Sequence, residues 1–118
     1  MLLDLIEKHQ RLVESYEILV YDHDGPNIRL KACVVLRDGS MLHIKQIVLE
    51  ESNFKYAYHW QDHSGNLICR WDNAPHWPEI ASYPHHKHTM RDGMEIVIES
   101  LGGDLTEVFT EIAEQLGN

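Results

Sequence analysis

Leu2, Leu5, Ile6, Leu12, Val13 and Tyr16 recur at helical spacing, and His9 falls on the same stripe. The pattern predicts an N-terminal helix with one buried face and His9 at its edge. A strand is expected over residues 17–21, followed by a turn at Asp24-Gly25-Pro26. Ile28, Leu30, Ala32, Val34 and Leu36 then alternate with Arg29, Lys31, Cys33, Val35 and Arg37. Asp38-Gly39 interrupts the alternation before a second apolar-rich run from Met41 to Leu49. Asp-Gly between two such runs predicts an antiparallel hairpin.

A further hairpin carries more information. Phe54, Tyr56, Tyr58 and Trp60 alternate with Lys55, Ala57, His59 and Gln61, and Asp62-His63-Ser64-Gly65 leads into residues 66–72. Pairing Gln61 with Asn66 keeps Phe54, Tyr56, Tyr58, Trp60, Leu67, Cys69 and Trp71 on one face. The other face then holds His59, Arg70 and Asp72, with Arg70 expected opposite Ala57 and Asp72 opposite Lys55. Residues 73–93 lack periodicity and contain Pro75, Pro78 and Pro84. They read as an ordered loop lying over another part of the molecule, because Trp77 and Tyr83 need burial. Met94, Ile96 and Ile98 predict a last strand, and Leu105, Val108, Phe109, Ile112, Ala113 and Leu116 a last helix. Asp104 with Glu107 fits its N-terminal cap and Gly117 its C-terminal cap. The fold expected is α+β: an antiparallel sheet of five or six strands, flanked by an N-terminal and a C-terminal helix. At 118 residues the chain reads as a single domain over positions 1–118.

Taken over the whole chain, a formal net charge of −9 opposes contact with polyanions. Its distribution weakens that objection. Residues 1–26 hold two bases and six acids, and residues 92–118 hold no base and seven acids. Residues 27–52 and 53–91 each hold four bases and three acids. Arg29, Lys31, Arg37, Lys45, Lys55, Arg70, Lys87 and Arg91 could therefore make a local basic patch. Six of nine histidines and all three tryptophans fall between His59 and His88, so that segment is where chemistry is sought. Apolar runs such as Ile47–Leu49 fall far short of the ~18–20 residues of a membrane helix. Asp4 and Glu7 in an unbasic start argue against a secretory signal. Cys33 and Cys69 form no CxxC pair and are expected reduced in a cytoplasmic protein.

Pro84-His85-His86-Lys87-His88 concentrates three imidazoles and an ammonium. Imidazole exchanges protons near neutral pH, and Arg holds phosphate through a bidentate fork. Three readings follow. In metal-independent RNA cleavage, His59, His76, His85, His86 and His88 are candidates for proton transfer and Asp72 orients an imidazole. Arg70 and Lys87 bind phosphate, and no cofactor is required. In the second reading, His85, His86, His88 and Asp72 supply ligands for a divalent metal. In the third, the histidines merely tie down a polar loop.

Three stretches decide between broader classes. Tyr58-His59-Trp60-Gln61-Asp62, Leu67-Ile68-Cys69-Arg70-Trp71-Asp72-Asn73-Ala74-Pro75-His76 and Tyr83-Pro84-His85-His86-Lys87-His88 resemble the motifs of the TumE family. These are small prokaryotic proteins treated as toxin components of type II toxin–antitoxin pairs. The resemblance is close over residues 56–88, and the flanking elements fit the whole chain. The family pattern commonly has a second histidine where this chain has Trp77, so only His76 is carried over there. The resemblance implies growth inhibition and a cognate antitoxin, usually a small DNA-binding protein. By analogy with other small toxins it also implies RNA as substrate and endoribonuclease activity. The alternative is a non-catalytic, metal-binding interaction module that works through its partner.

Overall fold

The strand and helix signals are realised as nine elements in a computed structural model, which describes residues 2–50 and 52–117. They are α1 (Leu2–Lys8), β1 (Val13–Asp24), β2 (Asn27–Leu36), β3 (Met41–Leu49), β4 (Asn53–Gln61), β5 (Leu67–Asp72), β6 (His86–Arg91), β7 (Met94–Glu99) and α2 (Leu105–Gln115). The strands form one antiparallel meander in sequence order. The fold is α+β as expected, with seven strands in place of five or six.

The N-terminal helix is shorter than its stripe. Leu2, Leu5 and Ile6 are buried on α1, but the chain leaves the helix after Lys8. Leu12 and Val13 donate their backbone N–H groups to the His9 carbonyl at 2.8 and 3.1 Å, and Val13 then pairs with Leu36. Both stay buried, whereas Tyr16 is exposed. Residues 13–21 are rich in β-branched and aromatic side chains, and an available neighbour in β2 outweighs a helical pattern they also satisfy.

Strand β6 lies inside the segment expected to be a loop. His86 pairs with Asp72 and Glu99, and His88 with Arg70 and Val97. Apolar alternation is absent because the side chain facing the helices is Lys87, whose amine reaches Glu111 of α2 at 2.6 Å. Its aliphatic stem covers core surface while its charge is matched at the edge. Residues 73–85 do form an overlying loop, whose Tyr83–Pro84 peptide is cis.

Helices cover one face of the sheet. Val34, Leu42, Ile44, Tyr58, Trp60, Val108, Phe109 and Ile112 are almost completely buried there. Each large side chain so buried contributes roughly 1.5–3 kcal/mol. The polar atoms of the core aromatics are matched: Trp60 Nε1 donates to Ser40 Oγ at 3.0 Å, and the Tyr58 hydroxyl donates to the Gly103 carbonyl at 2.8 Å. Asp104 caps α2 by accepting from the Thr106 N–H at 2.9 Å. Gly117, at φ 78°, turns the chain at the other end. The β4–β5 faces are those expected, but the register differs by two residues. Arg70 lies opposite His59 and Asp72 opposite Ala57, with an irregularity after Trp60. A shift of two keeps each side chain on its face and changes only its partner.

Candidate functional site

The face turned away from the helices carries two lateral rows of side chains. Cross-strand pairing sets His43, His59, Arg70 and His88 side by side across β3 to β6. The next row runs Lys45, Ala57, Asp72, His86 and Glu99. Directly opposed residues have Cβ atoms ~4.5–5.5 Å apart, so each row sets its side chains next to one another.

Asp72 is the centre of the cluster. It is 6% exposed, and a buried carboxylate requires partners. Its Oδ1 accepts from the Ala74 backbone N–H at 3.0 Å and lies 2.9 Å from His86 Nε2. Its Oδ2 accepts from Arg70 Nε at 3.2 Å and lies 3.5 Å from His88 Nε2. The far nitrogens of both rings are also engaged: His86 Nδ1 faces the Pro84 carbonyl and His88 Nδ1 faces Glu95 Oε2, each at 3.0 Å. The two rings meet edge to face at 5.0 Å between centroids. Arg70 reaches sideways as well, with Nη1 3.3 Å from His59 Nδ1. A guanidinium can only donate, so His59 Nδ1 accepts and its hydrogen sits on Nε2. Burial first, and then the Arg70 cation, hold His59 below the ordinary imidazole range.

A cleft of about 830 Å³ opens over this cluster, lined among others by Arg70, Asp72, His86 and His88. Lys45 and Lys55 stand on its sheet side, His76 and Trp77 on the loop side. The Trp77 ring lies 6.4 and 6.3 Å from those of His86 and His88. The cleft thus combines three cations, an aromatic plane and a carboxylate–imidazole group, a set suited to a phosphate ester carrying a flat base.

Of the residues proposed from the sequence, Arg70, Asp72, His86 and His88 come together. His59 joins them through Arg70, and His76 sits exposed on the cleft wall. His85 turns elsewhere: its Nδ1 lies 2.7 Å from the Tyr56 hydroxyl, and its ring stacks on Tyr56 at 5.7 Å. Lys87 points to the helices and is tied to Glu111, so the lysines at the cleft are Lys45 and Lys55. Glu95 was not singled out from the sequence. Extending the β7 alternation across a strand at 86–91 would have brought it to His88. Cys33 and Cys69 are both free, and burial pushes the Cys69 thiol up to about 12.

A family model described as Toxin TumE matches residues 2–116. The chain belongs to the TumE toxin family. The match reaches from α1 to the end of α2, so the TumE assignment covers the whole fold as well as the histidine-rich segment. Membership in a toxin family implies a cognate antitoxin as partner. Comparison with curated proteins and with solved structures finds no match. Among the described residues, no helix of this TumE chain is long and apolar enough to cross a membrane.

Proposed function

We propose that this TumE toxin arrests growth by cleaving RNA in the cleft over Asp72. One observation carries the reading: three cations and the Trp77 ring surround a buried carboxylate that gathers two imidazoles. In the reaction, the 2′-oxygen attacks the adjacent phosphorus, its proton leaves to a base, and the 5′-oxygen departs with a proton from an acid. Negative charge grows on the non-bridging oxygens, where Arg70, Lys45 and Lys55 would stabilise it. Trp77 offers a stacking surface for one base. We assign loss of the 2′ proton to the Asp72–His86–His88 centre, and return of a proton to His76 on the wall. His86 is 1% exposed and contributes as the neighbour of Asp72, 2.9 Å away, rather than by meeting the substrate. His85 and Lys87 have no part in the reaction on this reading.

The test is induction of the chain in a bacterium without its antitoxin, with growth and total RNA followed together. Growth arrest with fragmented RNA, both lost in Arg70→Ala, is expected. Arrest with intact RNA would favour a non-catalytic module acting through a partner and would overturn the nuclease reading.

A further inference from the structure

The ring nitrogens of His86 and His88 pose an accounting problem. A backbone carbonyl only accepts hydrogen bonds, so His86 Nδ1, 3.0 Å from the Pro84 oxygen, carries a hydrogen. His88 Nδ1, 3.0 Å from Glu95 Oε2, carries one by the same reasoning. In a neutral ring fixed this way, Nε2 presents a lone pair. Both Nε2 atoms face the same carboxylate, at 2.9 Å from Asp72 Oδ1 and 3.5 Å from Asp72 Oδ2. The Arg70 and Ala74 donors serve the carboxylate and leave both lone pairs unmatched. Three acceptors therefore converge in a nearly buried place, an arrangement that costs free energy unless something positive stands between them.

We propose that Asp72, His86 and His88 form a binding site for one divalent ion of the zinc class. The spacing suits it. Ligand atoms held ~2.0–2.2 Å from a tetrahedral ion stand about 3.3–3.6 Å apart, and here the three donors lie within 4.8 Å of one another. The outer shell suits it too. A metal-binding histidine donates its second N–H to a carbonyl or a carboxylate, which fixes the tautomer and aims the ring. His86 does so to Pro84 and His88 to Glu95. Two imidazole nitrogens and one carboxylate oxygen select zinc or a neighbouring transition ion over magnesium or calcium, which prefer all-oxygen sites. Three protein ligands leave one coordination position of a zinc ion open. All three line the cleft, so that position faces whatever the cleft binds. An ion can bind here whatever the toxin acts on, and while bound it occupies the Nε2 lone pairs, so the 2′ proton would then leave to a base other than these two imidazoles.

The test uses the full chain without a polyhistidine tag, stripped with a chelator and then titrated with Zn2+ alone against a competing chromophoric chelator. One zinc per chain is expected, with a rise in melting temperature. Co2+ should give visible bands of a four- or five-coordinate nitrogen–oxygen site. His88→Ala, which removes a partly exposed ring, should weaken zinc by more than the ~10–100-fold that loss of an outer-shell partner costs and abolish the melting shift. Glu95→Gln should weaken it by about 10-fold. His85→Ala should leave zinc binding intact, and circular dichroism should show that each variant is folded. Zinc well below one per chain, or equal binding by the wild type and a folded His88→Ala variant, overturns the proposal. The contacts would then be those of two imidazolium rings paired with carboxylates.

Discussion

Arg70 Nη1 approaches His59 Nδ1 to 3.3 Å across the β4–β5 pair, while Arg70 Nε holds Asp72 at 3.2 Å. One guanidinium therefore joins the two lateral rows and keeps His59 in its Nε2–H form. Burial is the larger cause of the depressed His59 titration and Arg70 the next. Arg70→Met should move His59 upward towards the usual imidazole value, read by NMR from the ring proton shifts. An unmoved titration would show that the guanidinium contact is not maintained in solution.

Glu111 accepts from Lys87 Nζ at 2.6 Å and from Trp71 Nε1 at 3.1 Å, so a single carboxylate ties α2 to β5 and β6. Glu111→Ala leaves an indole N–H in a residue 2% exposed without its acceptor. A loss of roughly 1–3 kcal/mol in urea unfolding is expected, and Glu111→Gln should lose less. Lys87→Met should leave RNA fragmentation on induction unchanged, in contrast to Arg70→Ala. Loss of fragmentation in a folded Lys87→Met variant would return Lys87 to the site.

Gly103 accepts the Tyr58 hydroxyl and sits against two rings. A Cβ there would come within 2.5 Å of Tyr56 Cε1 and 2.7 Å of Phe54 Cε2. Phe54 is exposed and can swing aside, but Tyr56 is 4% exposed and its hydroxyl is held at 2.7 Å by His85 Nδ1, so its ring cannot withdraw freely. Gly103→Ala should cost about 1–3 kcal/mol, as overpacking does. A melting temperature equal to that of the wild type would contradict this packing.

His9 packs on Phe109 at 5.5 Å, and its Nε2 is buried without a hydrogen-bond partner. Burial, followed by the Lys8 charge, lowers its pKa. Protonation thus favours the unfolded chain. The stability that depends on neutral His9 is complete above the ordinary imidazole value, and is lost as pH falls through it towards the folded value. His9→Leu should flatten the fall of urea stability between about pH 7 and 5. An unchanged slope would remove His9 from the acid sensitivity.

The legible parts of the sequence were those where side-chain period and burial agree. Residues 28–36 alternate and bury Leu30, Ala32, Val34 and Leu36, and the stripe from Leu105 to Ala113 is the buried face of α2. The illegible parts were those where two structures satisfy one pattern. Leu12 and Val13 fit a helical stripe and are equally buried in a turn and an edge strand. Residues 86–91 carry no apolar alternation because Lys87 faces the core side, and its charge found a partner only once α2 was in place.

The sequence by itself determined the sidedness of the sheet. Alternation assigned His59, Arg70 and Asp72 to the polar face whichever even register β4 and β5 adopt. It also placed the net negative charge at the two ends and left the middle slightly positive. Only the tertiary structure decided which groups meet. Neighbours across a sheet are set by pairing, and a shift of two residues leaves every face intact while exchanging every partner. Addition of β6 beside β5 brought His86 and His88 onto Asp72, turned Lys87 away and admitted Glu95. Contacts between residues 7 to 16 positions apart are not encoded in spacing, because they form when strands choose their neighbours.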